Sequence, residues 1–374
     1  MPASRCEQPE SGRRTHPHGT RGTGRSVALR GLLLRRDLPS AVLVIALLAV
    51  TAAVEPAVFS YEGLDLTFIG LVPLVCAAVA QLVIMVGGDI DLSIGSAFGL
   101  VNVICATSLN SHPVIGVLEL LGFVAAYVAM GALIELRRLP SLVMTFAFGF
   151  VWLGLALVIL PDPGGTVPTW VTTAFGATVP WVPEPILLIS GFAVVSWMYL
   201  TMTRPGRLIR AIGARKLSVQ QYTRGPVNVK ILMYATAAVV IIIGGLALSA
   251  QSGSGDPNSG QSYVLVSIAA IILGGGEFGG GLAWPVGAVL GAVAFGLVST
   301  IDTYLSISSN LVSGVEGAIL LIALGLRRSL RGLEIRHVAG RILTVGDSDG
   351  DEAPGNEDVP DLVSVAPELP GASL

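Results

Sequence analysis

Charge is scarce in this chain: 13% of its 374 residues are Asp, Glu, Lys or Arg, against about 25% in an ordinary soluble domain. Lysine is almost missing, with only Lys216 and Lys230, both read as part of one cytoplasmic loop. No Gly-x-x-x-x-Gly-Lys-Ser/Thr segment occurs, so the chain has no phosphate loop and does not itself hydrolyse ATP. Cys6, Cys76 and Cys105 lie far apart, with neither metal-site nor redox spacing, and His16, His18, His112 and His337 are as dispersed. A metalloenzyme is thereby excluded; no catalytic residue, metal or cofactor is expected, and no nucleic-acid partner.

What abounds is apolar surface. Hydrophobic residues make up 52% of the sequence and the mean hydropathy is +0.75. Runs long enough to cross hydrocarbon fall near 39–54, 66–86, 92–109, 114–136, 141–160, 185–203, 230–250, 263–281, 283–300 and 310–326. The expected fold is an all-α integral membrane protein of about ten transmembrane helices, some of them short or Gly-rich and so broken or re-entrant. Residues 1–37 are Arg-rich with no apolar run before Leu38, which speaks against a cleaved signal peptide and for a disordered cytoplasmic tail. Residues 332–374 form a second expected disordered tail, acidic through Asp347, Asp349, Asp351, Glu352, Glu357, Asp358 and Asp361. The membrane domain lies between, at 38–331.

Short-loop Arg and Lys mark the cytoplasmic side of a membrane. They cluster at 25–36, 137–138, 204–230 and 327–336, whereas 55–65, 161–184 and 251–262 have none. Counting spans from a cytoplasmic N-terminus puts all four basic clusters inside, with both termini cytoplasmic in a multi-pass plasma-membrane protein. The outer segment 161–184 carries Trp170, Phe175 and Trp181, either as interfacial anchors or as a surface for an external partner.

Polar sequence interrupts this pattern at Gly87-Gly88-Asp89-Ile90-Asp91-Leu92-Ser93-Ile94-Gly95-Ser96, between two apolar runs. Irregular backbone at such a place survives only at a membrane surface, inside protein or against a water-filled path, which points to a permeation pathway. Asp91 with Ser93 and Ser96 reads as a helix N-cap, with contact to solute hydroxyls as the alternative. Gly274-Gly275-Gly276 and Gly279-Gly280-Gly281 either pack helices closely or unwind to line the route. Interior acids are few: Glu119, Glu277 and Glu316, with Glu135 and Asp302 near span ends. The intramembrane acid Glu316 is a functional candidate. No span is expected to hold an interior Lys, Arg or His, a poor inventory for a proton relay.

The loop at 204–229 opens Arg204-Pro205-Gly206-Arg207-Leu208-Ile209-Arg210-Ala211-Ile212-Gly213. Gly206 is read as ending the preceding span and Gly213 as ending a short amphipathic helix with Leu208, Ile209 and Ile212 on one side. That helix either rests on the headgroups or is a rigid peg for a soluble partner.

The run Gly88 to Ser96 resembles the "G-I-D-L-S-V-G-S" signature of permease subunits of ribose-type (monosaccharide) ABC importers, a branch shared more distantly with branched-chain amino acid permeases. Further similarities keep the family's order. Thr203-Arg204-Pro205-Gly206-Arg207 running into Ala211-Ile212-Gly213 resembles "T-x-x-G-R-x-x-x-A-x-G", and Val227-Asn228-Val229-Lys230 resembles "I-N-V-x-K". Ser267 to Gly275 is similar to "D-A-I-A-A-V-V-L-G-G", and Gly287 to Ala292 to "G-T-x-x-G-A". The resemblance implies a permease that works as a homo- or heterodimer. Its loop (Arg204, Gly206, Arg207, Arg210, Ala211, Gly213) would couple to ABC ATP-binding subunits, and an extracytoplasmic solute-binding protein would deliver the sugar. By the same resemblance Gly88, Asp89, Asp91, Ser93, Gly95, Ser96, Gly274 and Gly275 belong to the signature and translocation path. Departures include Ala214-Arg215-Lys216-Leu217-Ser218 in place of "G-N-x-E-A-A", and Glu316 where a Lys is usual. Import of an amino acid or nucleoside, an ion-coupled secondary transporter and a non-transporting scaffold are the competing readings.

Overall fold

A computed structural model describes residues 40–177, 179–214, 225–276, 279–281 and 284–306, together with 314, 317 and 318. Both expected tails, Glu277, Glu316 and most of the last expected span at 310–326 lie outside the described residues. The chain divides into two units, Met1–Leu321 and Ile322–Leu374, and everything described belongs to the first.

Every regular element among the described residues is helical. In chain order these are α1 (Ser40–Val54), a 3-10 turn at Pro56–Phe59, α2 (Tyr61–Ile69), α3 (Val72–Val86), α4 (Ile94–Ala106), α5 (Ser108–Ser111), α6 (Pro113–Leu136), α7 (Ser141–Ile159), α8 (Thr169–Ala174), α9 (Glu184–Met202), α10 (Arg204–Ala214), α11 (Pro226–Ser252), α12 (Tyr263–Leu273) and α13 (Pro285–Tyr304). Proline opens α3, α6, α9, α11 and α13 within the first two positions, where its missing N–H is no loss and its fixed φ suits a helix. Gly253 ends α11 with φ 67°, the left-handed C′ position that glycine fills without strain.

Among the described residues six helices are long and apolar enough to cross a membrane, α4 counting together with α5, and α2 with α3, bent by 43°, makes a seventh if the pair is one span. α12 is apolar but shorter than a full span. All residues of α3 and α4 are buried, as expected of helices apolar all round. α11 packs on α3, α4 and α6; α7 lies on α4, and α12 and α13 pair with each other and against α3. The outer helices are equally apolar yet bury only 28% of the spanning window in α6 and 22% in α7 and in α9. Leu118, Leu121, Phe146, Phe150, Val158 and Val195 therefore face outward. An apolar surface of this breadth belongs in hydrocarbon, not water.

The segments after α7 and α11 are clipped together by Gly164 and Gly255, each donating its N–H to the other's carbonyl at 2.9 and 2.7 Å. Thr166 N–H adds a bond to the Ala106 carbonyl at the end of α4, 2.9 Å long.

Candidate functional site: the signature segment and the cytoplasmic helix

Between α3 and α4 the chain leaves helical geometry. Gly88 turns with φ +84°, its N–H bonding the Met85 carbonyl at 2.9 Å, while Asp89 N–H bonds that of Ile84 at 3.2 Å. The next residues run along the first turns of α7. Ile90 N–H donates to Ser141 Oγ (3.4 Å) and Leu92 N–H to Thr145 Oγ1 (3.1 Å), while Thr145 Oγ1 returns a bond to the Ile90 carbonyl (3.3 Å). From α3, the Gln81 amide grips Asp91 at both backbone groups, donating to its carbonyl at 3.1 Å and accepting from its N–H at 3.2 Å. Side chains thus replace the missing helical partners, the condition on which irregular backbone is tolerated inside a membrane protein.

The two acids of the segment have different partners. Asp89 Oδ2 takes Lys230 Nζ at 2.5 Å and Tyr234 Oη at 3.3 Å, and Lys230 Nζ also donates to the Gly87 carbonyl at 3.3 Å. Asp91 Oδ1 accepts from both the N–H and the hydroxyl of Ser93, each at 2.7 Å, and Oδ2 accepts from the Tyr127 hydroxyl. The Tyr127 and Tyr234 rings touch at 5.7 Å between centroids, and Tyr127 stacks on Trp152. Asp89 and Asp91 are thereby joined through an aromatic wall drawn from α6, α7 and α11.

Lys230 corrects the sequence reading. Read both as the end of a loop and as the first residue of the span at 230–250, it lies inside the first turns of α11 with 2% of its surface exposed. Proline at the start of α11 sets the helix going at 226, four residues earlier than hydropathy alone indicates. At the start of α4, Ser93 occupies the N-cap position and makes no side-chain cap bond. Asp91 binds Ser93 itself, while Ser96 Oγ accepts from Gln261 Nε2 at 3.2 Å.

The segment expected to be a cytoplasmic loop begins with α10. Gly206, Ile209 and Ile212 are buried, whereas Arg204, Arg207, Ala211 and Ala214 are exposed, at a spacing that puts them on one face. Arg207 donates to the Met202 carbonyl at 2.8 Å; Arg210 is half-buried. Gly206 does not end α9: it sits in the first turn of α10, where a Cβ would stand 2.0 Å from the Tyr199 carbonyl oxygen. That contact explains a glycine where a helix former would otherwise serve.

Gly213, in the last turn of α10, meets two other glycine-rich turns. A Cβ on Gly213 would lie 1.9 Å from the Val86 carbonyl oxygen and 2.5 Å from Gly281 N, both of them backbone atoms. Gly281 N–H donates to that same Val86 carbonyl at 2.7 Å. Gly280, at φ +70°, would bring a Cβ to 3.0 Å from both Gly88 Cα and the Gly213 carbonyl oxygen. The end of α3, the end of α10 and the turn following α12 therefore touch through backbone alone. Residues 215–224 lie outside the described residues.

On α4, Gly95 and Gly99 let another stretch of backbone approach: Cβ atoms there would stand 2.6 Å from the Gly260 and 2.2 Å from the Pro257 carbonyl oxygen. One turn on, buried Asn102 holds this stretch. Its Nδ2 donates to Ser249 Oγ (3.0 Å) and the Ser254 carbonyl (3.1 Å), and its Oδ1 accepts from Asp256 N–H (2.7 Å). Sequence reading passed over Asn102, although an amide inside an apolar run is itself a signal. Gly274 packs against the Gly287 backbone so closely that a Cβ would stand 2.0 Å from the carbonyl oxygen, and Gly275 turns with φ +105°. Among the described residues no group of His, Cys, Asp and Glu is placed to hold a metal.

The family description "Branched-chain amino acid transport system / permease component" fits residues 64–324, covering α2 through α13 and the signature, α10 and glycine turns just described. The chain belongs to this permease family. Among its relatives is the ribose import permease protein RbsC of Escherichia coli strain K12, 27% identical over 312 residues, which cover 80% of this chain and 96% of that protein. The RbsC of Bacillus subtilis strain 168 is 30% identical over 255 residues, 66% of this chain and 78% of the relative. The autoinducer 2 import system permease protein LsrD of Photorhabdus laumondii is 27% identical over 281 residues, 70% of this chain and 83% of the relative. No solved structure matches. The chain is thus a ribose-type ABC permease of this superfamily.

Proposed function

We propose that this permease carries a monosaccharide or similar small polar solute into the cytoplasm, powered by a separate ATP-binding subunit and fed by an extracytoplasmic binding protein. The observation that carries this reading is α10: a short rigid helix, basic on its exposed side, whose last turn bears on the backbone of the signature segment. A helix so placed transmits a push from a soluble partner to the α3–α4 break, the kind of two-state element that coupling requires. Import of ribose and of autoinducer 2 by the systems of its relatives supports a sugar-like cargo.

In this reading residues 204–229 are the coupling loop and the signature residues border the path. The full chain crosses the plasma membrane about ten times, with two copies or two related permeases per transporter. Both termini are cytoplasmic in this reading. The test is reconstitution of the permease, ATP-binding subunit and binding protein in proteoliposomes, following D-ribose, D-xylose, D-glucose and D-galactose uptake. ATP-dependent accumulation of one of them supports the reading. Accumulation driven by an ion gradient without the ATP-binding subunit overturns it in favour of a secondary transporter; ATP-dependent uptake of an amino acid or nucleoside alone replaces the sugar.

A further inference from the structure

The Asp89–Lys230 ion pair stands where the permease reading leaves a gap: α10 meets the end of α3 at Gly213 through close backbone contacts, and such contacts push but do not pull. Three bonds tie the signature turn to the helix leaving the cytoplasmic loop. Lys230 Nζ holds Asp89 Oδ2 and the Gly87 carbonyl, and Tyr234, one turn further along α11, holds the same Asp89 oxygen. Gly87 and Asp89 flank Gly88, the residue that Gly280 and Gly213 approach. Lys230 is thus bonded to both neighbours of the contact point, and its own helix begins immediately after the loop that starts with α10. α10 also packs on α11 directly.

A buried ion pair is a costly way to gain stability, since an apolar pair of similar volume often does as well. Its directional, charge-assisted bonds are better suited to fixing one geometry. Gly87 also lies against α11, where a Cβ would meet Met233 Sδ at 2.0 Å.

We infer that Lys230, acting through Asp89, is the positioning residue that ties the signature turn to α11, so that displacement of the cytoplasmic loop is returned to the α3–α4 break on the reverse stroke as well as the forward one. The inference rests on the ABC permease reading above. It predicts that the pair governs how much solute moves per ATP, not whether the subunits assemble.

The experiment uses the full transporter in proteoliposomes, with the one of the four sugars that wild type accumulates best. The variants are Lys230→Met, the double Asp89→Asn/Lys230→Met and the conservative Lys230→Arg. The double variant removes both charges of the pair together and strands neither, so it separates loss of the tie from loss of folding. Expected is a double variant that inserts, binds its ATP-binding subunit and hydrolyses ATP, with sugar moved per ATP reduced about tenfold, and a Lys230→Arg variant near wild type. Wild-type coupling in the double variant overturns the inference. Failure of the double variant to insert also overturns it, because the pair is then a folding element. If wild type itself shows no ATP-dependent uptake, the permease reading fails first and takes the tie with it.

Discussion

Gly213 of α10 lies so close to the Val86 carbonyl at the end of α3 that a methyl group in place of its hydrogen would stand 1.9 Å away. Nothing at this contact is a flexible side chain that can swing aside. The join between α10 and the end of α3 is therefore intolerant of one added carbon.

Gly213→Ala follows directly. The substitution forces α10 off the signature turn while leaving the spans, which bury their own surfaces, able to insert. Expected is a normal membrane yield with ATP-driven uptake lowered at least about tenfold; wild-type uptake in vesicles would refute the contact's role.

The exposed face of α10 carries Arg204 and Arg207 beside Ala211 and Ala214. Two small residues permit close approach and two cations ask for an acidic groove. Arg204→Glu/Arg207→Glu should abolish co-purification of the ATP-binding subunit in mild detergent without changing insertion. In wild type, raising salt should weaken the association, since exposed charges are screened.

Tyr127→Phe removes the donor from Asp91 Oδ2 inside the aromatic wall. A buried acceptor left without its partner costs about 1–3 kcal/mol. The thermal unfolding midpoint in detergent should fall by several degrees, with the helical content of the folded protein unchanged. Asp91→Asn should also destabilise: the amide oxygen can still accept from the Ser93 N–H and hydroxyl, but its NH2 then faces the Tyr127 hydroxyl where a carboxylate oxygen accepted from it.

Asn102→Ala frees the stretch around Asp256 from α4 while leaving Gly95 and Gly99 open for it. Loss of its bonds to Ser249, Ser254 and Asp256 should raise amide hydrogen exchange across residues 253–262 and leave exchange in α3 unaffected. Equal protection in both proteins would show that the glycine contacts alone hold the segment.

Hydropathy made the membrane class legible, and the helices found begin and end within a few residues of most expected spans: 141–160 against Ser141–Ile159, 185–203 against Glu184–Met202. The expected run 263–281 was not one helix. Only Tyr263–Leu273 is helical, because Gly274, Gly275 and Gly276 follow without side chains to hold the turns. Lys230 escaped because hydropathy prices a lysine as solvent-facing whatever it meets, and its partner Asp89 is 141 residues away in sequence. Gly206 escaped for a similar reason: its contact is with Tyr199 backbone, which no local pattern announces. The signature itself was conspicuous because polar, glycine-rich sequence between apolar runs has few physical excuses.

α4 is held at both ends by irregular backbone. Asp91, Ser93 and the α7 hydroxyls fasten its beginning, and the clipped outer segments reach it through Thr166 and the Ala106 carbonyl. A rod pinned at both ends cannot slide as a piston without breaking both sets of fastenings at once. If the chain transports as proposed, α4 is better suited to be the fixed post of the machine, against which the neighbouring helices would move.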